Sequence, residues 1–183
     1  MLKCSGLRGA VIAAGLFLVT VYAARAENLS PETFYGTFQG SGYAENHDSL
    51  YFGTTVRDLD VVIAPSGGGF SVTWTTVIRS GGDQNDPKVK RKAQTVTFSP
   101  AGQPGVFRGT PSGDPLAGNP YVWARIEKHT LTVYIMTIAA DGNYEMQSYA
   151  RTLSGSGMDL VFTRIRDGEP VREAKAKLIK LAN

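Results

Sequence analysis

Beyond residue 32 the chain breaks into short runs rich in Val, Ile, Thr, Tyr and Phe, divided by clusters of Gly, Pro, Asn and Asp. β-Branched and aromatic side chains suit a pleated, half-buried surface, and the intervening clusters are turn-formers. The pattern therefore predicts an all-β domain of many short strands. Strands are expected over residues 33–43, 55–64, 69–79, 89–99, 105–109, 120–127, 130–139, 143–153, 158–166 and 170–181. Pro65-Ser66-Gly67-Gly68-Gly69 supplies turn residues, Asp141-Gly142 and Asp167-Gly168 are hairpin dipeptides, and Ser154-Gly155-Ser156-Gly157 is a longer link. Ser80–Pro87 and Thr110–Pro120 read as loops. Hairpins in such close succession predict an antiparallel up-and-down meander of eight to ten strands. Closing it into a barrel removes the exposed edges.

Successive side chains of a strand point to opposite faces, so the alternation shows which residues travel together. In 69–79, Phe70, Val72, Trp74 and Ile78 oppose Ser71, Thr73, Thr75 and Arg79. In 55–64, Arg57 interrupts an otherwise apolar face of Leu59, Val61 and Ile63. In 143–153, Tyr144, Met146 and Ala150 oppose Glu145, Gln147 and Arg151, which predicts that Met146 faces inward. Residues 130–138 (TLTVYIMTI) are apolar on both faces. Such a strand needs a cover on its outer side, whether a helix, a folded-over loop, another subunit or a membrane, and it is the expected site of a protein partner. Residues 170–181 fit two patterns. Val171, Ala174, Leu178 and Leu181 make a helical face that would cover 130–138, whereas a strand following the Asp167-Gly168 turn would pair with the first strand. The strand is the preferred reading.

The N-terminus changes the compartment and the charge. Lys3 and Arg8 precede an apolar run from Ala10 to Ala24, which ends in Ala24-Arg25-Ala26. A basic start, a short apolar segment and small residues three apart form a Sec-type signal peptide over residues 1–26, cleaved after Ala26. A periplasmic or secreted protein is expected, with a single barrel domain over 27–183. Nothing after Glu27 is apolar for the roughly 20 residues that a helical membrane span needs. Of the 19 Lys and Arg residues, three leave with the signal, and all 16 Asp and Glu residues lie at or after Glu27. The processed chain thus balances 16 basic residues (19 less 3) against 16 acidic ones, and its charge gives no support to a nucleic-acid partner. Cys4, the sole cysteine, lies inside the signal, so no disulfide assists the domain and apolar burial carries its stability.

Chemical motifs are sparse. His47 and His129 stand far apart without a metal-ligand spacing, His47-Asp48 reads as a solvated loop pair, and the Gly67–Gly69 run joins two strands instead of opening a phosphate-binding helix. No metal and no cofactor is expected. Lys88, Lys90, Arg91 and Lys92 form a basic cluster whose ordinary role is to solvate a strand edge, with an anionic surface as the alternative partner. Tyr121, Trp123 and Arg125 alternate on one strand face, where a guanidinium beside aromatic rings suits an anionic or planar ligand, although outer-wall packing explains the trio equally well. Glu145, Tyr149 and Arg151 share one face that could host chemistry, but their spacing demands none.

The opening strand, Tyr35-Gly36-Thr37-Phe38-Gln39-Gly40-Ser41-Gly42, sets three glycines on one face with Phe38, letting the strand bend or another backbone approach. It resembles the first strand of the calycin superfamily, and is similar to the G-T-W-x-G-x-G opening of nitrobindin-type haem-binding barrels, with Phe38 in the place of Trp. The resemblance covers about eight residues and the meander. It implies a calycin-like (lipocalin-like) barrel enclosing a small, mostly apolar ligand. The haem-ligating histidine of nitrobindins lies in the last strand, and residues 171–181 contain none, so haem ligation is not implied. The calycin tryptophan packs under an arginine of the last strand, a part that the resemblance assigns to Arg172 against Phe38. The expected function is non-covalent binding of a small apolar or amphipathic molecule. Phe38, Trp74, Met146 and Phe162 are the expected inward contacts, with Trp123 and Arg125 as further ligand-binding candidates. An envelope interaction protein or exported inhibitor with a filled barrel is the alternative.

Overall fold

All ten expected strands are present in the computed structural model, which describes residues 27–46, 55–79 and 89–182. In chain order they are β1 (Gly36–Asn46), β2 (Thr55–Ser66), β3 (Gly69–Arg79), β4 (Val89–Pro100) and β5 (Val106–Thr110), then β6 (Tyr121–Glu127), β7 (Thr130–Ile138), β8 (Tyr144–Ser154), β9 (Gly157–Arg166) and β10 (Glu169–Ala182). Each pairs antiparallel with its sequence neighbours, and β1 pairs with β10 to close the barrel. Residues 170–181 are therefore strand. The Asp167-Gly168 turn, with φ of 49° and 90°, has the backbone twist that returns β9 directly into β10. The signal segment, His47-Asp48, the loop 80–87 and Lys88 lie outside the described residues.

One boundary differs. Residues Pro31–Phe34 form a short 3-10 helix instead of the start of the first strand. Pro31 suits a first helical position, and the turn delivers Phe34 into the barrel, where it is fully buried. Before it, Asn28 accepts from the Lys128 backbone N–H at 2.8 Å, and the Leu29 N–H donates to the Lys128 carbonyl at 2.9 Å. The leading segment thus crosses the barrel end where β1 starts and β10 finishes, and stoppers this end, the base.

The base is a packed core. Phe70 stacks on Phe98 at 5.1 Å between ring centroids and meets the edge of Phe107 at 5.0 Å, while Val72, Val96, Val122 and Leu131 bury beside them. These residues alternate with polar outward neighbours, such as Thr73 and Thr95, whose hydroxyls hydrogen-bond at 2.8 Å, and Gln39, which donates to Asp60 at 2.9 Å. An apolar inside and a polar outside is the reverse of the pattern of membrane-spanning barrels. Among the described residues, no helix is long and apolar enough to cross a membrane.

The cover over β7 is a folded-over loop. Residues 111–120 turn back through a second short 3-10 helix, Pro115–Ala117, which lies against β7. Asp114 caps it by accepting the Leu116 N–H at 2.9 Å, and Ser112 accepts the Val122 N–H at 2.9 Å. Beside it, Trp123 stacks on Tyr134 at 4.9 Å and meets Tyr121 at 5.5 Å. The outer side of 130–138 is therefore half-buried within the chain itself.

Candidate functional site

The half of the barrel away from the base is hollow. A cavity of about 340 Å³ lies between β1, β2, β3, β4, β8, β9 and β10. Its apolar wall is Leu59, Val61, Trp74, Tyr149, Leu160 and Phe162, and its charged lining includes Lys92, Arg151, Arg164 and Arg172. That volume is at the lower end of the range for small-molecule sites. Across it the aromatic rings form a chain: Trp74 to Tyr149 at 5.1 Å, and Tyr149 to Phe162 at 4.7 Å, both tilted. Tilted contacts at these separations are favourable because ring edges meet ring faces.

The inner face of β8 supplies the polar part, and three of its residues hold one another. The Tyr149 hydroxyl donates to Gln147 Oε1 at 3.0 Å, Gln147 Nε2 donates to Glu145 Oε1 at 2.8 Å, and Arg164 of β9 donates to Glu145 Oε2 at 2.5 Å. Arg166 approaches the same oxygen at 3.7 Å. Burial by itself would raise the Glu145 carboxyl, but hydrogen bonds from Arg164 and Gln147 and the charges of Arg164 and Arg166 outweigh it, leaving the group below its ordinary value. Burial pushes the Tyr149 hydroxyl up, against the opposing charge of Arg151.

Arg151 is the unusual residue. It is 0% exposed, at the level where the packed base gives way to the cavity, opposite Leu131 of β7 and Leu160 of β9. Its guanidinium carbon lies 5.3 Å from the Trp74 ring centroid and 5.6 Å from that of Tyr149, and Nη1 donates to the Tyr149 carbonyl at 3.3 Å. Nε and Nη2 are buried with no hydrogen-bond partner, as is Nε of Arg164. Burial pulls the Arg151 pKa down to about 10, so the group still carries its charge at neutral pH.

No family model matches the chain, and no curated protein does. Among solved structures, the S-type phycobiliprotein lyase CPES from Guillardia theta is similar with a TM-score of 0.39 and 10% identity, over 85% of this chain and 94% of that one. At that level of likeness no residue role transfers.

The residues singled out from the sequence fall in three places. Trp74 and Phe162 line the cavity. Phe38 faces inward but lies in the packed region, 1% exposed. The residue over its ring is Lys180, with Nζ at 5.8 Å from the centroid, because the β1–β10 register sets Lys180 opposite Phe38 and Arg172 opposite Asn46. The arginine partner implied by the calycin resemblance is thus corrected to a lysine eight residues further along β10.

Met146, Trp123 and Arg125 stand on the outer wall. Met146 pairs across with Met136 and Ile165, and alternation gives the inner face of β8 to Gln147, Tyr149 and Arg151. Trp123 belongs to the outer aromatic stack, and Arg125 pairs with Glu127 at 3.2 Å, both half exposed. The inward placement of Met146 is corrected because β8 turns its polar side to the cavity. Of the basic cluster, Lys92 reaches the lining, whereas Arg91 is exposed. The polar face of β8, on which the sequence set Glu145, Tyr149 and Arg151 together without demanding chemistry of them, is the face that meets the cavity, and Gln147 and Arg164 are the residues it adds. Its signal was an aromatic and an arginine among polar residues at every second position, matched by Arg164 on the next strand.

Proposed function

We propose that the protein is an exported carrier or receptor barrel that holds a small apolar or amphipathic molecule non-covalently. The observation that carries this reading is the cavity of about 340 Å³, walled by Trp74, Tyr149 and Phe162, in a barrel whose other half is packed solid. A filled barrel acting through its outer surface alone needs no such space. Burial of a small ligand's apolar surface at about 25 cal/mol per Å² gives roughly micromolar affinity without any reactive group. The signal peptide reading of residues 1–26 supports export, and with it a ligand met outside the cytoplasm.

Native mass spectrometry of protein purified from the periplasm or medium tests both parts. The expected result is a chain beginning at Glu27, together with a non-covalent adduct of small mass or a thermal shift on addition of fatty acids, sterols or fused aromatics. An intact leader overturns the export reading. A chain that shows neither adduct nor shift across that panel overturns the ligand-binding reading.

A further inference from the structure

The cavity of a carrier for neutral lipid needs only apolar walls, whereas this one has a buried guanidinium at its floor. Removing a charge from water costs several kcal/mol, and burial is retained only where the charge is compensated. Arg151 has partial compensation: two aromatic rings at 5.3 and 5.6 Å and one carbonyl contact at 3.3 Å. Neither Nε nor Nη2 has a partner. Those two nitrogens form one edge of the guanidinium, with parallel N–H bonds that match the two oxygens of a carboxylate or sulfonate. Glu145, which reaches the lining through Gln147, is already held by Arg164 and Gln147. The described lining residues otherwise include Lys92, Arg164, Arg172 and Lys175, with no Asp or Glu among them.

Resting on the ligand-binding reading above, we propose that the occupant is an organic anion with a planar or apolar body. Its acidic group is received by Arg151 at the cavity floor, with Arg164, opposite Gln147, adding positive charge further along the wall, and its body lies along Trp74, Tyr149 and Phe162. Arg151 and Trp74 both line the cavity, and the guanidinium carbon lies 5.3 Å from the Trp74 ring centroid, so an acidic group and an aromatic body are received side by side. The positive lining selects against cations, and the apolar wall selects against small hydrophilic anions such as inorganic phosphate.

A matched pair of fluorescent probes separates the two readings. Anilinonaphthalene sulfonate and its neutral parent, phenylnaphthylamine, share one aromatic body and differ in the acidic group. The full-length processed protein is expected to bind the sulfonate about tenfold or more tightly than the neutral probe. Arg151→Met is expected to remove that preference while leaving affinity for the neutral probe within about twofold. Equal affinity of the wild-type protein for both probes overturns the anion proposal and leaves the ligand-binding reading intact. Failure of both probes to bind overturns both readings. The wild-type ratio stands even if the variant fails to fold, and Arg164→Gln then serves as the second variant, expected to weaken the sulfonate selectively.

Discussion

Arg151 is worth most attention at the scale of single residues, because its cost and its use act in opposite directions. A guanidinium whose pKa is pulled down to about 10 by burial carries a folding penalty of about 3 kcal/mol while it remains charged. Contacts with Trp74 and Tyr149 return about 1–2 kcal/mol of that, as desolvated cation–π pairs do. The empty protein with Arg151→Met is therefore expected to melt about 2–8 °C higher than wild type in differential scanning calorimetry. A lower melting temperature would make Arg151 a structural cation. Glu145 contributes with the opposite sign. Its folded-state value lies below 4.5, so its ionised form favours folding above that pH, and the contribution disappears as pH falls through the lowered value. Between pH 6 and 3, wild type is expected to lose melting temperature more steeply than Glu145→Gln, which has no carboxylate to titrate. Parallel curves would remove the Arg164–Glu145 pair from the stability account.

Among the elements, the strands were legible because the signals for a strand are local: a period of two, β-branched residues and turn dipeptides. Which face of a strand turns inward is a property of what fills the barrel. For β3 the apolar side, Phe70, Val72 and Trp74, enters the core, as the pattern predicts. For β8 the rule inverts, since its apolar Met146 lies outside and its polar Gln147, Tyr149 and Arg151 line the cavity. A sequence pattern that equates inside with apolar places the wrong side of β8 within, because a hollow interior has its own polarity. The glycines of β1 were read correctly as sites of close approach. A Cβ on Gly40 would overlap the Lys177 carbonyl oxygen, and one on Gly42 would overlap the Lys175 carbonyl oxygen and Ala176 Cβ. Both contacts lie on β10. Gly40→Val is therefore expected to destabilise the barrel by about 2 kcal/mol or more in urea unfolding followed by far-ultraviolet circular dichroism. An unchanged midpoint would show that the β1–β10 pairing yields without cost.

The whole molecule divides into a stoppered, solid base and a hollow opposite half, and the function assigned to it depends on that asymmetry. The chain supplies the stopper from its own leading segment, through Phe34, and the cover over β7 from the loop before β6. Neither was visible as alternation, because both are irregular segments whose partners come from distant parts of the sequence. Among the described strands, every neighbouring pair except β1 and β10 is also adjacent in sequence. Synthesis therefore delivers the sheet in order, one hairpin after another, and leaves the first strand with a bare edge until the tenth has left the ribosome. The wall of the cavity includes Arg172, Ala174 and Ala176 of that last strand. Until β10 has emerged, a nascent chain has no enclosed pocket, so an occupant of the proposed kind has nothing to enter before the tenth strand is in place.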